Sequence, residues 1–212
     1  MMRTLFLNPN SSDQITATLR RHIERCGWPA ERWDVAKVEG APRIIGSVTE
    51  NDEAAKALDR SLQALGAGFD RVVMMSSVDT GYDIARRHLG DAAFGFTRSV
   101  LAQHDKLGQK LQVITFDKDM TAPYQRAFEA TGHGAVVGNW KVLDLMPAAV
   151  AARPATALSE VRALCRELAG ASRNGIFVVG AVGLELAATL REEGMHSIID
   201  PVSDLLTWLR DA

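Results

Sequence analysis

Residues 70–86 read DRVVMMSSVDTGYDIAR, and the reading of this stretch decides the fold. An apolar run at 71–75 stops at Ser76-Ser77. Asp79, Thr80 and Gly81 follow, and a helical pattern begins at Tyr82. This predicts a strand, a polar turn and a helix start. In an open parallel α/β sheet, ligands bind outside the carboxyl ends of the strands. About a hundred residues later the plan recurs: an apolar run at 176–179, then Gly180-Ala181-Val182-Gly183, then a helical pattern. Neither turn contains a cysteine.

Working outward, the flanking sequence alternates in the same way. Strands are expected at 3–7, 33–38, 71–75, 93–96, 111–116, 134–143, 176–179 and 197–199. Helices are expected at 12–26, 50–65, 82–89, 97–107, 120–131, 155–169, 184–193 and 202–210, with a short helix and loop at 146–154. Residues 40–47, containing Pro42 and Arg43, read as a loop. Alternation of this kind predicts parallel sheet covered by helices on both faces. LFLN near the start corresponds to QVITF near the middle, and VVMMSS to FVVGA, at an offset of just over a hundred residues. The fold class is therefore α/β. Two similar, pseudosymmetric domains are expected, each a parallel sheet flanked by helices, with a site in the cleft between them. The expected division is 1–96 plus 201–212 for the first domain, the last helix packing back onto it, and 97–200 for the second.

Composition removes several function classes. Apolar residues make up 47% and charged residues 24%, as in an ordinary globular protein. A net charge of −2 without a basic stripe argues against nucleic acid as a partner. No apolar run approaches the ~20 residues that cross a bilayer, so no membrane role is expected. The N-terminal apolar run is short for a signal peptide and reads as a strand, which gives a cytoplasmic expectation. Cys26 and Cys165 lie on apolar helical stripes and are expected to be buried structural thiols. No spacing of cysteines and histidines suggests a metal site.

Three turns can carry chemistry. Asn8-Pro9-Asn10-Ser11-Ser12 puts amide and hydroxyl side chains at a helix start, where free N–H groups suit a carboxylate or cyclic imide. An ordinary capped turn is the alternative, although one N-cap explains only one of those polar residues. Ser76-Ser77-Val78-Asp79-Thr80-Gly81 is small and polar at a strand end. Ser76 is expected to point into the cleft, Thr80 to cap the next helix, and Asp79 to orient a hydroxyl or hold the loop. Gly180 and Gly183 let a ligand approach the backbone closely.

Taken together, these residues resemble the aspartate/glutamate racemase superfamily, and within it hydantoin and allantoin racemases. The likeness rests on the strand followed by Asn8-Pro9-Asn10-Ser11-Ser12, on DTG-x-D-x-A-R at 79–86, on Thr115, on G-x-x-G-L at 180–184, and on Ile199-Asp200 before the last helix. It extends over essentially the whole chain.

The resemblance implies a two-domain pseudosymmetric fold, no cofactor, and a homo-oligomer acting on a small carboxylate or cyclic amide. In such enzymes two cysteines flank the substrate's α-carbon. One thiolate removes the proton and the other thiol delivers one to the opposite face, while polar loops stabilise the carbanion. A thiol suits this role because its pKa is easily brought near neutrality. Here the two cysteine positions are held by Ser76 and Ala181. A serine is a poor base without a partner, and alanine transfers no proton.

The site implied by the resemblance comprises Ser76, Ala181 and Asp79 at the catalytic positions. Asn8, Asn10, Ser11, Ser77, Thr80, Gly81, Thr115, Gly180, Val182 and Gly183 are placed around the substrate. Arg43 is a further candidate for pairing with an anion, and Tyr82, Tyr124 and Trp140 for lining the site. The histidines at 22, 88, 104 and 133 read as structural or surface groups, and His196 stands where the family has proline. Three functions fit: a racemase-like enzyme whose cysteines were replaced; a hydrolase, lyase or decarboxylase using Ser76, Asp79 or an activated water; and a binder without catalysis.

Overall fold

The structure is a computed structural model that describes residues 2–145, 154–171 and 174–211, with only the backbone at 154, 171 and 181–183. Most of the segment expected as a short helix and loop at 146–154 lies outside the described residues. The chain divides into two compact units, Met1–Ser99 and Val100–Ala212.

The first unit holds β1 (Thr4–Asn8), α1 (Asp13–Arg25), β2 (Trp33–Lys37), α2 (Val48–Gly66), β3 (Arg71–Met74), α3 (Tyr82–Leu89) and β4 (Ala93–Gly95). The strands pair in the order β2-β1-β3-β4, all parallel. Every residue of β1 is buried, as a central strand covered on both faces requires. Leu5 and Leu7 join the cluster that includes Leu58 and Leu62 of α2. Phe6, one position out of phase, meets Trp28 and Trp33 edge-on with ring centroids 6.3 Å apart. α2 begins earlier than its apolar stripe indicates. Ser47 caps it by accepting from the Glu50 amide, and the Glu50 carboxylate reaches back to the Gly46 amide and the Ser47 hydroxyl. That is a capping box, and it extends the helix by two residues relative to the expected start.

A helix α4 (Phe96–Lys106) leads into the second unit, which contains β5 (Leu111–Thr115), α5 (Lys118–Glu129), β6 (Val137–Val142), α6 (Pro154–Ala171), β7 (Gly175–Val178), α7 (Ala181–Glu192) and α8 (Pro201–Asp211). The strand order is β6-β5-β7, again parallel. The strand expected at 197–199 is a single parallel bridge, Ile176↔Ile198, placed beside β7 where β4 lies beside β3. Both units thus follow one path: the second strand lies on one side of the first and the third on the other. The Asp117 cap starts α5 before the expected residue 120 and leaves Pro123 inside the helix.

The terminal helix departs from its expected place. α8 belongs to the second unit, not the first, because His104 of α4 bonds Asp204 at 3.0 Å and Lys106 bonds Asp211 at 2.6 Å. Cys165 is buried as expected, and burial pushes its thiol up to about 11. Cys26 is only half-buried, since it caps the end of α1. No helix among the described residues is long and apolar enough to cross a membrane.

Candidate functional site

The reversal of strand order fixes where loops meet. In each unit the first and third strands are neighbours whose connections leave in opposite directions, so a crevice opens at their carboxyl ends. Residues 8–12 therefore lie beside 75–81, and 115–117 beside 179–183; the amide of Met75 bonds Leu7, and that of Val179 bonds Ile114.

In the first unit the doubled asparagine is accounted for by the turn itself. The Asn8 carboxamide donates to Asn10 Oδ1 at 2.9 Å and to Thr16 Oγ1 at 3.0 Å. Asn10 Oδ1 also accepts from the Ser12 amide at 2.9 Å, and Ser12 caps α1 through the Ile15 amide. The Ser11 hydroxyl is spent on the Ala41 carbonyl and its amide on Pro42. What remains is Asn10 Nδ2, which has no partner among the described residues on a side chain only 7% exposed. Arg43 is exposed, and its charge acts on Asp13 at the start of α1.

The second loop of this unit is held at three points. Asp79, at φ 48°, is buried and bonds the start of α4: Oδ1 accepts from the Thr97 amide at 2.9 Å, and Oδ2 from the Arg98 amide and Nε at 3.2 Å. Burial pushes its carboxyl up to about 6, opposed by the Arg98 charge and the two amides. Arg98 in turn stacks on the Tyr82 ring, 3.5 Å from its centroid. The Ser77 carbonyl accepts from the Thr97 hydroxyl. Of the two roles expected for Asp79, holding the loop is the one that its contacts perform.

Thr80 does not cap α3; the cap position is Gly81, which offers no side chain. The Thr80 hydroxyl instead donates to Asn51 Oδ1 at 2.7 Å and lies 2.8 Å from Ser76 Oγ. Because its one proton goes to Asn51, the Ser76 hydroxyl is the donor in the Ser76–Thr80 bond. The Val78 amide donates to Ser76 Oγ at 3.3 Å. Among the described residues no carboxylate, imidazole or amine accepts the Ser76 proton.

The corresponding loops of the second unit show fewer side-chain bonds among the described residues. Thr115 is buried, with its carbonyl bonded to the Leu143 amide. Asp117 caps α5 through the Asp119 amide. Gly180 sits at φ 87° and ψ 165°, and α7 starts at Ala181 with no side-chain cap. Its first turn, residues 181–183, presents backbone N–H groups at the strand ends. A Cβ on Gly180 would stand 3.9 Å from the Tyr124 hydroxyl. Burial, and then the Asp117 charge, push that phenol up to about 12, so it is neutral at ordinary pH.

Sequence reading had no signal for Asn51, which reaches the loop from α2 across 29 residues. Arg98 was missed for the same reason. Gly95 carried a faint one, since glycine at a strand end often marks close approach: a Cβ there would lie 2.7 Å from the Asp79 carboxylate. Three of the histidines pair with residues outside these loops. His88 pairs with Asp59, His104 with Gln109 and Asp204, and His133 with Asp105. Among the described residues no three His, Cys, Asp or Glu are grouped as metal ligands.

Residues 5–207 match the model of a family described as Asp/Glu/Hydantoin racemase. The chain belongs to the Asp/Glu/hydantoin racemase family. Solved structures of similar fold include allantoin racemase from Klebsiella pneumoniae, 19% identical, with TM-score 0.84 over 100% of this chain and 87% of that one. Allantoin racemase from Pseudomonas fluorescens is 17% identical, with TM-score 0.78 over 99% and 90%. Unliganded arylmalonate decarboxylase is 13% identical, with TM-score 0.59 over 99% and 92%. No curated protein matches the chain. These racemase-family likenesses agree with the parallel two-sheet α/β architecture.

Proposed function

We propose that this chain is a cofactor-independent member of the racemase family that binds a small carboxylate or hydantoin-like cyclic amide at its strand ends, and that it does not racemise the ligand through a thiol pair. The observation that carries this reading is the state of Ser76. In the family pattern residue 76 carries a proton-transferring thiol. Here a hydroxyl stands there, its proton directed to Thr80 and its oxygen bonded by the Val78 amide. A serine becomes a base or a nucleophile through an adjacent group that takes its proton. Thr80 is neutral and its own proton is engaged by Asn51, so among the described residues Ser76 has no such partner. Ala181, at the other thiol position, has no proton to transfer. The loops nevertheless retain hydrogen-bonding groups suited to an amide or carboxylate: Asn10 Nδ2 and the amides of residues 181–183.

The test is a thermal-shift and calorimetric screen over hydantoin, allantoin and short dicarboxylates, with polarimetry of the optically active ligands. Stabilisation that follows RT ln(1 + [L]/Kd), with no loss of rotation, is the expected result. Racemisation by the unaltered chain would overturn the reading. Installing Ser76→Cys together with Ala181→Cys is expected to create racemisation, while each single change leaves none.

A second reading is favoured by Tyr124. A neutral phenol beside Gly180 supplies one proton on one face, which suits a decarboxylase. The carbon–carbon bond of a malonate-type acid breaks, its electrons remain on the α-carbon, CO2 leaves, and the phenol protonates that carbon. Water then returns a proton to the phenolate. Release of CO2 from a 2-substituted malonate, abolished in Tyr124→Phe, would support this reading. Absence of CO2 release in the unaltered chain removes it.

A further inference from the structure

Asn51 is far in sequence from every motif that the family resemblance brings forward, yet it ends a chain of hydroxyl groups. Its Oδ1 accepts the Thr80 proton at 2.7 Å, and Thr80 Oγ1 stands 2.8 Å from Ser76 Oγ. A hydroxyl has one proton and two lone pairs. Thr80 gives its proton to Asn51 and therefore receives one from Ser76. Ser76 gives its proton inward, accepts the Val78 amide with one lone pair, and has one lone pair left. Thr80 is 1% exposed, so solvent does not supply it with another acceptor.

We propose that Asn51 is a positioning residue that fixes the direction of the Thr80–Ser76 hydroxyl pair, so that Ser76 meets a ligand as an acceptor and selects an N–H group over a carboxylate oxygen at that point. The selectivity rests on the reading that this loop faces the ligand. The direction of the pair does not.

A thiol placed at residue 76 reports the direction without any ligand. With Asn51 present, Thr80 can only accept, which favours the protonated thiol. With Asn51 replaced by leucine, the Thr80 proton is released and turns to the sulfur, which favours the thiolate. Alkylation of Ser76→Cys by iodoacetamide is followed against pH with peptide-resolved mass spectrometry, so that Cys26 and Cys165 are counted separately. The expected midpoint for Ser76→Cys is above the free-cysteine value of about 8.5. In Ser76→Cys/Asn51→Leu it is expected to fall below that value, by about one unit or more. Ser76→Cys/Asn51→Asp keeps an acceptor for Thr80 and is expected to stay with Ser76→Cys. Adding Thr80→Val to the leucine variant is expected to abolish the fall.

A loop that merely loosens would bring the thiol to the free-cysteine value and no lower. A midpoint at or above that value in Ser76→Cys/Asn51→Leu overturns the assignment of Asn51. Hydantoin and its N-methylated derivatives, titrated calorimetrically into the unaltered chain, test the consequence. About tenfold weaker binding on methylation, reduced in Asn51→Leu, supports it, and equal affinities overturn the selectivity. Should no ligand bind while the thiol midpoints behave as expected, the binding function fails and the role of Asn51 stands.

Discussion

The two units repeat one path of strands and helices but equip its ends differently. In the first, the loops after β1 and β3 are laced by side chains: Asn8 to Asn10 and Thr16, Ser11 to Ala41, Ser76 to Thr80 to Asn51, Asp79 to the start of α4. In the second, the loop after β7 is one glycine at φ 87° followed directly by a helix, with backbone groups and the Tyr124 phenol nearby. One end uses its described polar atoms on each other; the other places backbone N–H groups at a helix start.

The sharpest way to break this comparison is at its glycines. Gly81 sits at φ 73°, and a Cβ there would stand 2.1 Å from Cδ2 of Leu58, which is fully buried. Gly81→Ala adds overpacking to left-handed strain and is expected to cost about 3–4 kcal/mol. Gly180 has the more extreme backbone, with ψ 165°, but among the described residues an added Cβ meets just the Tyr124 hydroxyl, at 3.9 Å. Gly180→Ala is expected to cost about 1–3 kcal/mol, from strain alone. Urea unfolding of both variants decides the matter. Equal costs would mean that the first loop yields as readily as the second, and the contrast between them would fail.

A smaller effect tests whether Asp79 is a load carried by the first loop. Its carboxyl is raised from 3.8 to about 6 by burial. The folded chain then keeps a proton that the unfolded chain has released, so between about pH 4 and 6 the folded state binds more protons. Stability attributable to Asp79 is therefore highest below pH 4 and falls as pH rises to 6, by ~3 kcal/mol at most. Asp79→Asn has no titration there. The difference in unfolding free energy between unaltered chain and variant is expected to change by about that amount between pH 4 and 7, and a flat difference would show that Asp79 titrates as an ordinary carboxylate.

These cases show what a linear sequence can disclose. The alternation of apolar runs and helical stripes was enough for the α/β class and for the repeat, because burial of parallel strands leaves that pattern in every segment. The turn 79–81 was legible as a turn, because glycine and aspartate at positive φ are local requirements. The partners of that turn were not. Asn51 and the Thr97 and Arg98 amides reach it from other elements, and no residue near Asp79 announces them. The terminal helix was misassigned for a related reason. Its amphipathic face says only that it packs, whereas the His104–Asp204 bond decides on what. Asn8 and Asn10 looked like surplus polarity because a sequence does not show that one carboxamide can serve the other.

That last point yields the smallest expected change in stability. Asn10 Oδ1 accepts from Asn8 and from the Ser12 amide, while Nδ2 has no partner among the described residues. Asn10→Ala removes both accepted bonds and orphans a buried amide, at a cost of about 1–2 kcal/mol. Asn10→Asp retains the acceptor, places a negative charge at the start of α1 where the helix dipole favours it, and removes only the donor. Its stability is expected to stay within about 0.5 kcal/mol of the unaltered chain. Calorimetry then separates the two uses of one side chain. If the first unit contacts the ligand through Nδ2, Asn10→Asp folds normally and binds hydantoin or a dicarboxylate at least tenfold more weakly. Unchanged affinity in that variant would mean that this turn serves the fold alone, and that ligand recognition belongs to other loops.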